Sequence, residues 1–463
     1  MDVRSNEYKA HSKAIIRDSP GVRDAIRGAT VAFDQARKNA YAEVDADAWR
    51  RWAEGVKNHT LTHLDRYLEE AEARLTENGC TVHWASTGGD VRTVVTEIAR
   101  ARAAGSVVKG KSMLSEEVDL NPALERAGIK VVETDLGEYI LQLLNEAPSH
   151  ILGPAIHRSL EDVQQLFSRE LGTDASGTPD ALANAARKRL RQEFLEADMG
   201  ITGANFVVAE SGTIALIENE GNIRLSTSLP KVHVVLVGIE KIIPRMSDLA
   251  GFVQLTARAG TGQPIGCFVS LIQGPAAESG DDGPDEVHVV FVDNGRTDVL
   301  SDDHAWETLR CVRCGACLNS CPVYRQTGGH AYGWVYSGPI GAVLDPGLLG
   351  LKEAMPLPFA STLCGACFDA CPVRIPIPEL LLYWRGRAHE AGLTPPSERA
   401  LLRTFAGVAT RPGLYPTAGR IGTKVAAGPL GKKLPLLNDW AEHRALPKPS
   451  ERTFRRLWKD GIQ

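Results

Sequence analysis

The chain contains the run Cys311-Val-Arg-Cys314-Gly-Ala-Cys317-Leu-Asn-Ser-Cys321, which Pro322 follows directly. Its spacers are two, two and three residues long. A shorter copy, Cys364-Gly-Ala-Cys367-Phe-Asp-Ala-Cys371, is also followed by a proline, Pro372. Four thiolates at this spacing can ligate three irons of one 4Fe-4S cube and one iron of a neighbouring cube. The two runs therefore predict iron–sulfur clusters and one-electron transfer.

Zinc sites and disulfide bonds are the alternative uses of such cysteines. Seven of the nine cysteines lie between positions 311 and 371, and only Cys80 and Cys267 stand apart. Cys-x-x-Cys pairs also suit structural zinc, but the Cys-x3-Cys-Pro ending is not typical of a zinc site. A disulfide framework is typical of small secreted domains, whereas this chain has 463 residues and a polar N-terminus. Iron–sulfur ligation is favoured, and Cys80 and Cys267 are expected to be small buried apolar residues.

The cysteines divide into two ligand sets, because the fourth cysteine of each run in a two-cluster protein ligates the other cluster. The ligands expected for the first 4Fe-4S cluster are Cys311, Cys314, Cys317 and Cys371. Those expected for the second are Cys321, Cys364 and Cys367. A complete second run would have a cysteine where this chain has Ser361. Three outcomes stay open: a cube completed by Ser361, His330, water or a partner's residue, a three-iron cluster, or assembly of only one cluster.

Composition indicates an ordinary globular protein. Hydrophobic residues make up 43% of the chain and charged residues 24%. The net charge is −5 without a large basic patch, so a nucleic-acid partner is not expected. No apolar run approaches the roughly 18 residues of a membrane span, so no transmembrane segment is expected. Reduced cysteines and oxygen-sensitive clusters together predict a cytoplasmic location.

Hydrophobic spacing predicts four segments. They are a helical N-terminal segment at 1–76, an α/β domain at 77–299, an α-helical ferredoxin-type two-cluster domain at 300–392 and a C-terminal extension at 393–463. In the α/β domain, strand-like runs such as Thr81–Ala85, Ser106–Lys109 and Val232–Gly238 alternate with helical patterns, which predicts a mainly parallel sheet. The extension is expected to pack over the other domains through three apolar anchors, Leu414, Trp440 and Trp458.

A long insert separates the two cysteine runs. It has 42 residues and carries the aromatic residues Tyr332, Trp334 and Tyr336. We expect these side chains to form a hydrophobic cover that keeps water from the clusters, since burial tunes cluster potentials. A docking surface for a partner is the alternative.

Two glycine-rich patterns suggest nucleotide binding but lack the required context. Gly105-Ser-Val-Val-Lys-Gly-Lys-Ser112 matches the P-loop pattern, yet the predicted strand Ser106–Lys109 lies inside it and a polar helical stretch precedes it. Gly260-Thr-Gly262 is followed by Gln263-Pro264 rather than by a helix. No nucleotide, NAD or flavin site is therefore evident.

Two places in the α/β domain are candidate ligand positions. Lys109 and Lys111 lie at a predicted strand end, where open α/β sheets bind ligands. The segment 204–213 carries Glu210, Ser211 and Thr213 on a turn between two strands, and these groups could hold a small acid. The alternative for this turn is a tight loop with satisfied polar groups, which spacing alone favours.

Seven short motifs add a family resemblance. They are Lys109-Gly-Lys-Ser-Met113 with Glu116-Glu117, Glu133-Thr-Asp-Leu-Gly-Glu-Tyr-Ile140, Pro148-Ser-His-Ile151, Gly203-Ala-Asn205, Glu210-Ser-Gly-Thr213, Leu229-Pro-Lys-Val-His233 and Gly238-Ile-Glu-Lys241. Together with the cysteine runs, they make the chain resemble the iron–sulfur subunit of bacterial lactate-utilisation systems over nearly its whole length. Members of that family also lack the cysteine at the position of Ser361.

The resemblance carries several expectations. The first domain would be a lactate-utilisation domain, with a fold similar to that of sugar-phosphate isomerases and CoA transferases. The chain would act with a cysteine-rich subunit and a second lactate-utilisation-domain subunit in oxidising L-lactate to pyruvate, relaying electrons through two 4Fe-4S clusters. The resemblance assigns neither substrate residues nor an electron acceptor. Two alternatives remain, namely a stand-alone enzyme that acts on a small anionic acid and has structural clusters, and a redox-sensing scaffold.

Overall fold

The computed structural model describes residues 3–278, 282–427 and 453–461. The chain forms two compact units, Met1–Ala388 and His389–Gln463. Within the described residues of the first unit, no helix has the length and apolar character needed to cross a membrane, and the same holds for the second.

Ten strands are found in the described residues. They are β1 (Thr81–Ala85), β2 (Ser106–Lys109), β3 (Lys130–Glu133), β4 (Met199–Gly203), β5 (Phe206–Val208), β6 (Thr213–Glu218), β7 (Val232–Gly238), β8 (Ile242–Ile243), β9 (Phe268–Ile272) and β10 (Glu286–Val292).

The helices are distributed along the whole described chain. Those before the cysteine runs are α1 (Tyr8–Asp18), α2 (Pro20–Ala42), α3 (Ala46–Thr62), α4 (Leu64–Glu77), α5 (Gly88–Ala101), α6 (Met113–Glu117), α7 (Leu120–Arg126), α8 (Leu136–Leu144), α9 (Leu160–Leu171), α10 (Pro179–Glu196), α11 (Asn222–Ser228), α12 (Met246–Gly260) and α13 (Arg296–Ser301). The later ones are α14 (Ala316–Ser320), α15 (Tyr324–Thr327), α16 (Gly338–Leu348), α17 (Leu351–Ala354), α18 (Ala366–Ala370), α19 (Ile377–Glu390), α20 (Pro396–Ala409), α21 (Tyr415–Ala427) and α22 (Phe454–Lys459).

The expected α/β architecture is present. Six strands form a fully parallel sheet in the order β1-β10-β7-β4-β2-β3. A second sheet, in the order β8-β5-β6-β9, is mixed, because β6 runs antiparallel to both of its neighbours. The strand β2 occupies the middle of the P-loop-like pattern, so the pattern is not a loop between a strand and a helix.

The parallel sheet has hydrophobic cores on both of its faces. Successive side chains of a strand point to opposite faces of its sheet. In β7, Val234 and Leu236 pack into a core with α5 and α7, whereas Val235 and Val237 face the other way. That second core continues into the N-terminal helices and into residues 305–388, here called the cluster segment. Burial on both faces explains why the central strands read as unbroken apolar runs.

The cluster segment consists mostly of short helices, α14 to α19. The aromatic residues of its long insert are buried, with Tyr332 fully enclosed and Trp334 and Tyr336 nearly so. Their burial excludes an exposed aromatic docking surface at these three residues. None of them lines a cysteine cavity, so their role as a cover over the clusters stays a prediction. On α19, Leu381 and Trp384 are buried, but Leu382 is 55% exposed.

One sequence expectation about a single side chain is wrong. Cys80 is buried, but Cys267 is exposed, because it precedes β9 on the outer edge of the second sheet. Leu414 and Trp458 lie in the second unit, and their packing over the other domains stays a prediction. Trp440, the third expected anchor, lies outside the described residues.

Candidate functional site

The seven clustered cysteines line two cavities. The first cysteine cavity is lined by Cys311, Cys314, Cys317 and Cys371, together with apolar side chains. The second cysteine cavity is lined by Cys321, Cys364 and Cys367, together with Ser361 and Thr362. Helix α16 touches both, since Ile340 lines the first and Ala342 the second. This grouping has the same members as the two predicted ligand sets, whose ligation of iron stays a prediction.

The two cysteine loops have the same backbone conformation at matching positions. Arg313 and Gly315 have positive φ angles of 60° and 72° in the first loop. Leu363 and Gly365, at the equivalent positions of the second loop, have φ angles of 56° and 84°. A positive φ is uncommon for a non-glycine residue, so its repetition at Arg313 and Leu363 indicates a shared loop geometry. Each loop then enters a short helix, α14 or α18.

Ser361 occupies in the second loop the place that Cys311 has in the first. The backbone N–H of Arg313 donates to Cys311 Sγ at 3.4 Å, and the N–H of Leu363 donates to Ser361 Oγ at 3.1 Å. His330 does not line the second cysteine cavity, and its Nε2 is 2.8 Å from the carbonyl oxygen of Ala147. Of the two side chains considered for the open position, only Ser361 is at the cavity.

The thiol environment fits iron–sulfur ligation. The N–H groups of Tyr324 and Ile375 donate to Cys321 Sγ at 3.5 Å and Cys371 Sγ at 3.4 Å, as hydrogen bonds that tune cluster potentials do. Burial raises the pKa of Cys371 to about 11 and that of Cys367 to about 12, so that free thiols here are protonated. A coordinated thiol is deprotonated by the metal itself. Among the described residues, no three Cys, His, Asp or Glu side chains converge as a single metal ion requires.

Three family models match the sequence. A LUD domain matches residues 68–292, a 4Fe-4S dicluster domain matches 307–375, and the C-terminal domain of lactate utilisation protein B matches 387–462.

Relatives match over nearly the full length of the chain. "Lactate utilization protein B" of Bacillus pumilus is 42% identical, and the alignment covers 99% of this chain and 98% of the relative. This chain belongs to the lactate utilization protein B family. The "Uncharacterized electron transport protein YkgF" of Escherichia coli is 39% identical over the same shares of the two chains. Among solved structures, a DUF162 family protein from Deinococcus radiodurans aligns with 50% of this chain and 98% of that chain at 15% identity, and its TM-score of 0.29 is too low to support an inference.

The N-terminal helices hold the second cysteine loop. Arg50 of α3 is buried and donates from Nε to the carbonyl oxygen of Cys371 at 2.9 Å. Its Nη2 donates to the carbonyl oxygen of Phe368 at 2.7 Å. This guanidinium therefore fixes the backbone around a predicted cluster ligand. Sequence reasoning missed Arg50, because 321 positions separate it from Cys371 and no local pattern connects them.

The loop after α8 fastens the α/β domain to the cluster segment. His150 is buried, and its Nε2 is 3.0 Å from Asn319 Oδ1 on α14. Its Nδ1 accepts hydrogen bonds from the N–H groups of Leu152 and Gly153, so Nε2 carries the proton. Burial is the main reason that the pKa of His150 falls to about 3. A neutral imidazole is therefore part of this interface.

A third cavity lies at the carboxyl ends of the parallel strands. This sheet-end cavity has a volume of about 270 Å³ and is lined by Lys111, Asn205, Lys241 and Arg313 among others. Lys111, one of the predicted candidates, also lies 3.4 Å from Glu138. The cavity was not predicted as such, although its lining includes parts of several motifs of the family resemblance.

The other predicted ligand positions are occupied by internal contacts. Lys109 is fully buried and forms ion pairs with Glu116 at 3.0 Å and Glu133 at 2.8 Å, so it does not line the sheet-end cavity. Glu210 accepts a hydrogen bond from the N–H of Met246 at 2.9 Å and lies outside that cavity too. The hydroxyls of Ser211 and Thr213 bond to each other at 2.7 Å. The hydrogen bonds of Glu210, Ser211 and Thr213 are those of a tight loop, which is the alternative that spacing favoured, whereas Asn205 near the start of the segment lines the sheet-end cavity.

Proposed function

We propose that this chain is the iron–sulfur electron-transfer subunit of a complex that oxidises L-lactate to pyruvate. The observation that carries the proposal is the arrangement of seven cysteines around two cavities that share the helix α16. The family of the chain supplies the substrate, since its relatives are named for lactate utilization. The name of the Escherichia coli relative supports electron transport as the role.

The proposed ligands are those expected from the cysteine spacing. The first cluster is held by Cys311, Cys314, Cys317 and Cys371. The second is held by Cys321, Cys364 and Cys367. When bound, two 4Fe-4S clusters supply one-electron chemistry, so the electron pair of a 2-hydroxy acid can be divided between them. The oxygen of Ser361 is the protein atom best situated to complete the second set, because it faces the same cavity.

The surroundings of the two cavities differ in a way that supports a direction of electron flow. Cys314 and Cys371 of the first cavity are buried, and this cavity adjoins the sheet-end cavity through Val312 and Arg313. Cys364 of the second cavity is exposed. In the proposed complex, electrons enter on the side of the α/β domain and leave past Cys364 to a partner subunit.

The proposal includes two companions and a location. A cysteine-rich subunit and a second subunit with a lactate-utilisation domain complete the complex, which works in the cytoplasm, where thiols stay reduced. The α/β domain is proposed to share the fold of sugar-phosphate isomerases and CoA transferases. The companion subunits and the fold derive from the family resemblance, whereas the location derives from the reduced cysteines. Co-purification of the three chains tests the companion subunits.

The decisive experiment is reduction of the anaerobically purified complex by L-lactate, followed by EPR. We expect about eight irons for paired cubes or about seven for a cube with a three-iron cluster, and signals that appear on adding L-lactate. Reduction of the same sample by dithionite is the control, because it shows that the clusters can accept electrons. An iron-loaded complex that dithionite reduces and L-lactate does not would overturn the proposal.

A further inference from the structure

The sheet-end cavity lies where a parallel sheet presents its ligands. Gly203 ends β4 and Gly238 ends β7, two adjacent strands, and both residues line the cavity. Lys111 lines it as well, two positions after the end of the neighbouring strand β2. Open α/β sheets bind ligands outside the carboxyl ends of their strands. The position of this cavity is therefore that of a ligand site.

The sheet-end cavity shares a wall with the first cysteine cavity. Ile151, Val312 and Arg313 line both cavities. Val312 and Arg313 belong to the first cysteine run, between Cys311 and Cys314. A molecule bound in the sheet-end cavity would therefore be separated from the predicted first cluster by a single layer of side chains.

Two cations in the lining have unused hydrogen-bond donors. Within the described residues, the side chain of Lys241 has neither a hydrogen bond nor an ion pair. The Arg313 guanidinium lies 4.4 Å from the centre of the Tyr336 ring and 3.4 Å from Glu240 through Nη2, while its buried Nη1 donates to no described residue. Burial, with Arg313 nearby, lowers the pKa of Lys241 to about 8, so it remains mostly protonated at neutral pH.

The acidic side chains of the lining all accept hydrogen bonds from the protein. They are Asp135, Glu218, Glu220 and Glu240. The first three accept hydrogen bonds from backbone N–H groups near the starts of α8 and α11. Glu240 accepts from Arg296 at 2.7 Å. The lining carries as many acids as bases, but the side chain of Lys241 and the buried Nη1 of Arg313 are donors that no described residue engages, which favours an anionic ligand.

A neutral donor completes the site. Asn205 follows β4, and its Oδ1 accepts a hydrogen bond from the N–H of Ile217 at 2.9 Å. That contact fixes which end of the amide is the acceptor, and its Nδ2 donates to no other described residue. The cavity therefore offers an amide N–H in addition to two cationic groups.

We propose that the sheet-end cavity binds a small monocarboxylate with an oxygen on C2, that is, a 2-hydroxy or 2-oxo acid. Its carboxylate lies against Lys241 and Arg313, and its C2 oxygen accepts from Asn205. The volume of about 270 Å³ is below the roughly 300–1,000 Å³ of sites for drug-sized ligands, which favours a small molecule. The identity of the acid rests on the proposed function, whereas the anion site itself stands on the geometry of the lining.

The test is binding of L-lactate and pyruvate to the cluster-loaded full-length chain, measured by anaerobic calorimetry. We expect Lys241→Met to weaken binding of both acids at least tenfold and Lys241→Arg to retain most of it. Lys231→Met is the matched control, because Lys231 is an exposed lysine of the same domain outside the cavity lining, and it should bind as the unaltered chain does. Iron content and the EPR signal of each variant establish that the clusters are intact.

A second variant tests the contact to the C2 oxygen, and it keeps the site testable if Lys241→Met does not fold. Asn205→Ala should weaken pyruvate binding at least fivefold and leave the weaker binding of propionate, which has no C2 oxygen, unchanged. The site is refuted if neither acid binds, if Lys241→Met binds like Lys231→Met, or if inorganic phosphate binds as tightly as pyruvate. If Lys241→Met shifts the reduction potential of the cluster but does not change acid binding, Lys241 acts as a countercharge to the cluster. That result would also refute the site.

The two proposals can fail separately. If L-lactate reduces the clusters of the complex but no acid binds to this chain, the substrate site lies on another subunit and the relay stands. If pyruvate binds with the expected dependence on Lys241 but L-lactate never reduces the clusters, the anion site stands and the relay fails.

Discussion

Arg296 and Glu117 form a fully buried ion pair with two contacts, 2.9 Å from Nη1 to Oε1 and 2.8 Å from Nη2 to Oε2. Arg296 also donates from Nε to Glu240 at 2.7 Å, and Tyr336 of the cluster segment donates to Glu117 at 2.5 Å. Burial alone would raise the pKa of Glu117, but Arg296 lowers it below its usual value. Glu117 belongs to α6, Arg296 follows β10 and Glu240 follows β7. Together with Tyr336, these contacts join the α/β domain to the insert between the cysteine runs.

Replacing Glu117 by glutamine should strongly destabilise the fold. The change leaves the Arg296 guanidinium buried with only part of its counter-charge, and removing one partner of a buried pair costs about 3–5 kcal/mol. Urea unfolding of the apoprotein, followed by circular dichroism, measures the loss. The matched control is Glu77→Gln in the exposed pair of Arg74 and Glu77, which should cost less than about 1 kcal/mol. Equal effects of the two substitutions would contradict the assigned role.

Replacing Ser361 by cysteine should complete the second ligand set. The hydroxyl of Ser361 accepts from Leu363 as the sulfur of Cys311 accepts from Arg313, so a thiol at 361 would face the same cavity. We expect the variant to retain about eight irons after exposure to air, whereas the unaltered chain loses iron from the second site. Iron and sulfide analysis with EPR measures this difference.

The variant Ser361→Ala separates two roles of the native hydroxyl. If the oxygen ligates iron, alanine should lower the iron content or change the EPR signal of the second cluster only. If the fourth position is filled by water or by a partner's residue, alanine should behave as the unaltered chain does. A loss of signal from the first cluster in Ser361→Ala or Ser361→Cys would contradict the assignment of Ser361 to the second cavity.

Local patterns predicted the central strands well. The run Val232–Gly238 coincides with β7, since a strand buried on both faces is a continuous apolar segment. The run Thr81–Ala85 coincides with β1, which is a partly exposed edge strand. The grouping of the cysteines around the two cavities also followed from spacing, because the last cysteine of each run belongs to the other set and the remaining ligands of a set lie within one loop. The separation into two sheets was not predicted, since pairing such as that of β6 with β9 joins residues that lie at least 50 positions apart in the sequence.

The charged residues that line the sheet-end cavity could not be identified from local sequence patterns. Lys109 and Glu210 are charged and lie near strand ends, but their partners, such as Glu133 and the N–H of Met246, are visible only in the fold. Lys241 lies in one of the motifs of the family resemblance, yet nothing in the sequence indicates that it lacks a partner. Whether a charged side chain is satisfied depends on tertiary contacts, which spacing does not supply.

Buried neutral histidines should make the fold sensitive to acid. Burial lowers the pKa of His233, which lies 2.9 Å from the hydroxyl of Thr202, to about 3, and the pKa of His150 is also about 3. An unfolded chain protonates histidine near pH 6.5. Between about pH 6.5 and 3 the unfolded state therefore binds more protons, and stability falls as the pH falls, by about 1.4 kcal/mol per pH unit for each histidine.

Replacing His233 by glutamine removes one of these protonation sites. Urea unfolding at several pH values should give a slope between pH 6 and 4 that is smaller by about 1.4 kcal/mol per pH unit, whatever the change in stability at neutral pH. His63 is exposed, so His63→Gln is the control that should leave the slope unchanged. The prediction fails if both variants keep the slope of the unaltered chain.

Two glycine-to-alanine substitutions should have opposite effects on stability. A Cβ on Gly329 would lie 1.8 Å from the carbonyl oxygen of Ser149, the same oxygen that accepts from Tyr324, so the α/β domain and the cluster segment would have to move apart. Overpacking of this kind costs about 1–3 kcal/mol. Gly28 is exposed in the middle of α2 with nothing within 4 Å of its Cβ position, and alanine there should stabilise the protein by about 0.5–1 kcal/mol. Urea unfolding of both variants measures the change in the free energy of unfolding. If Gly329→Ala leaves this free energy unchanged, the two segments are not held in this close contact.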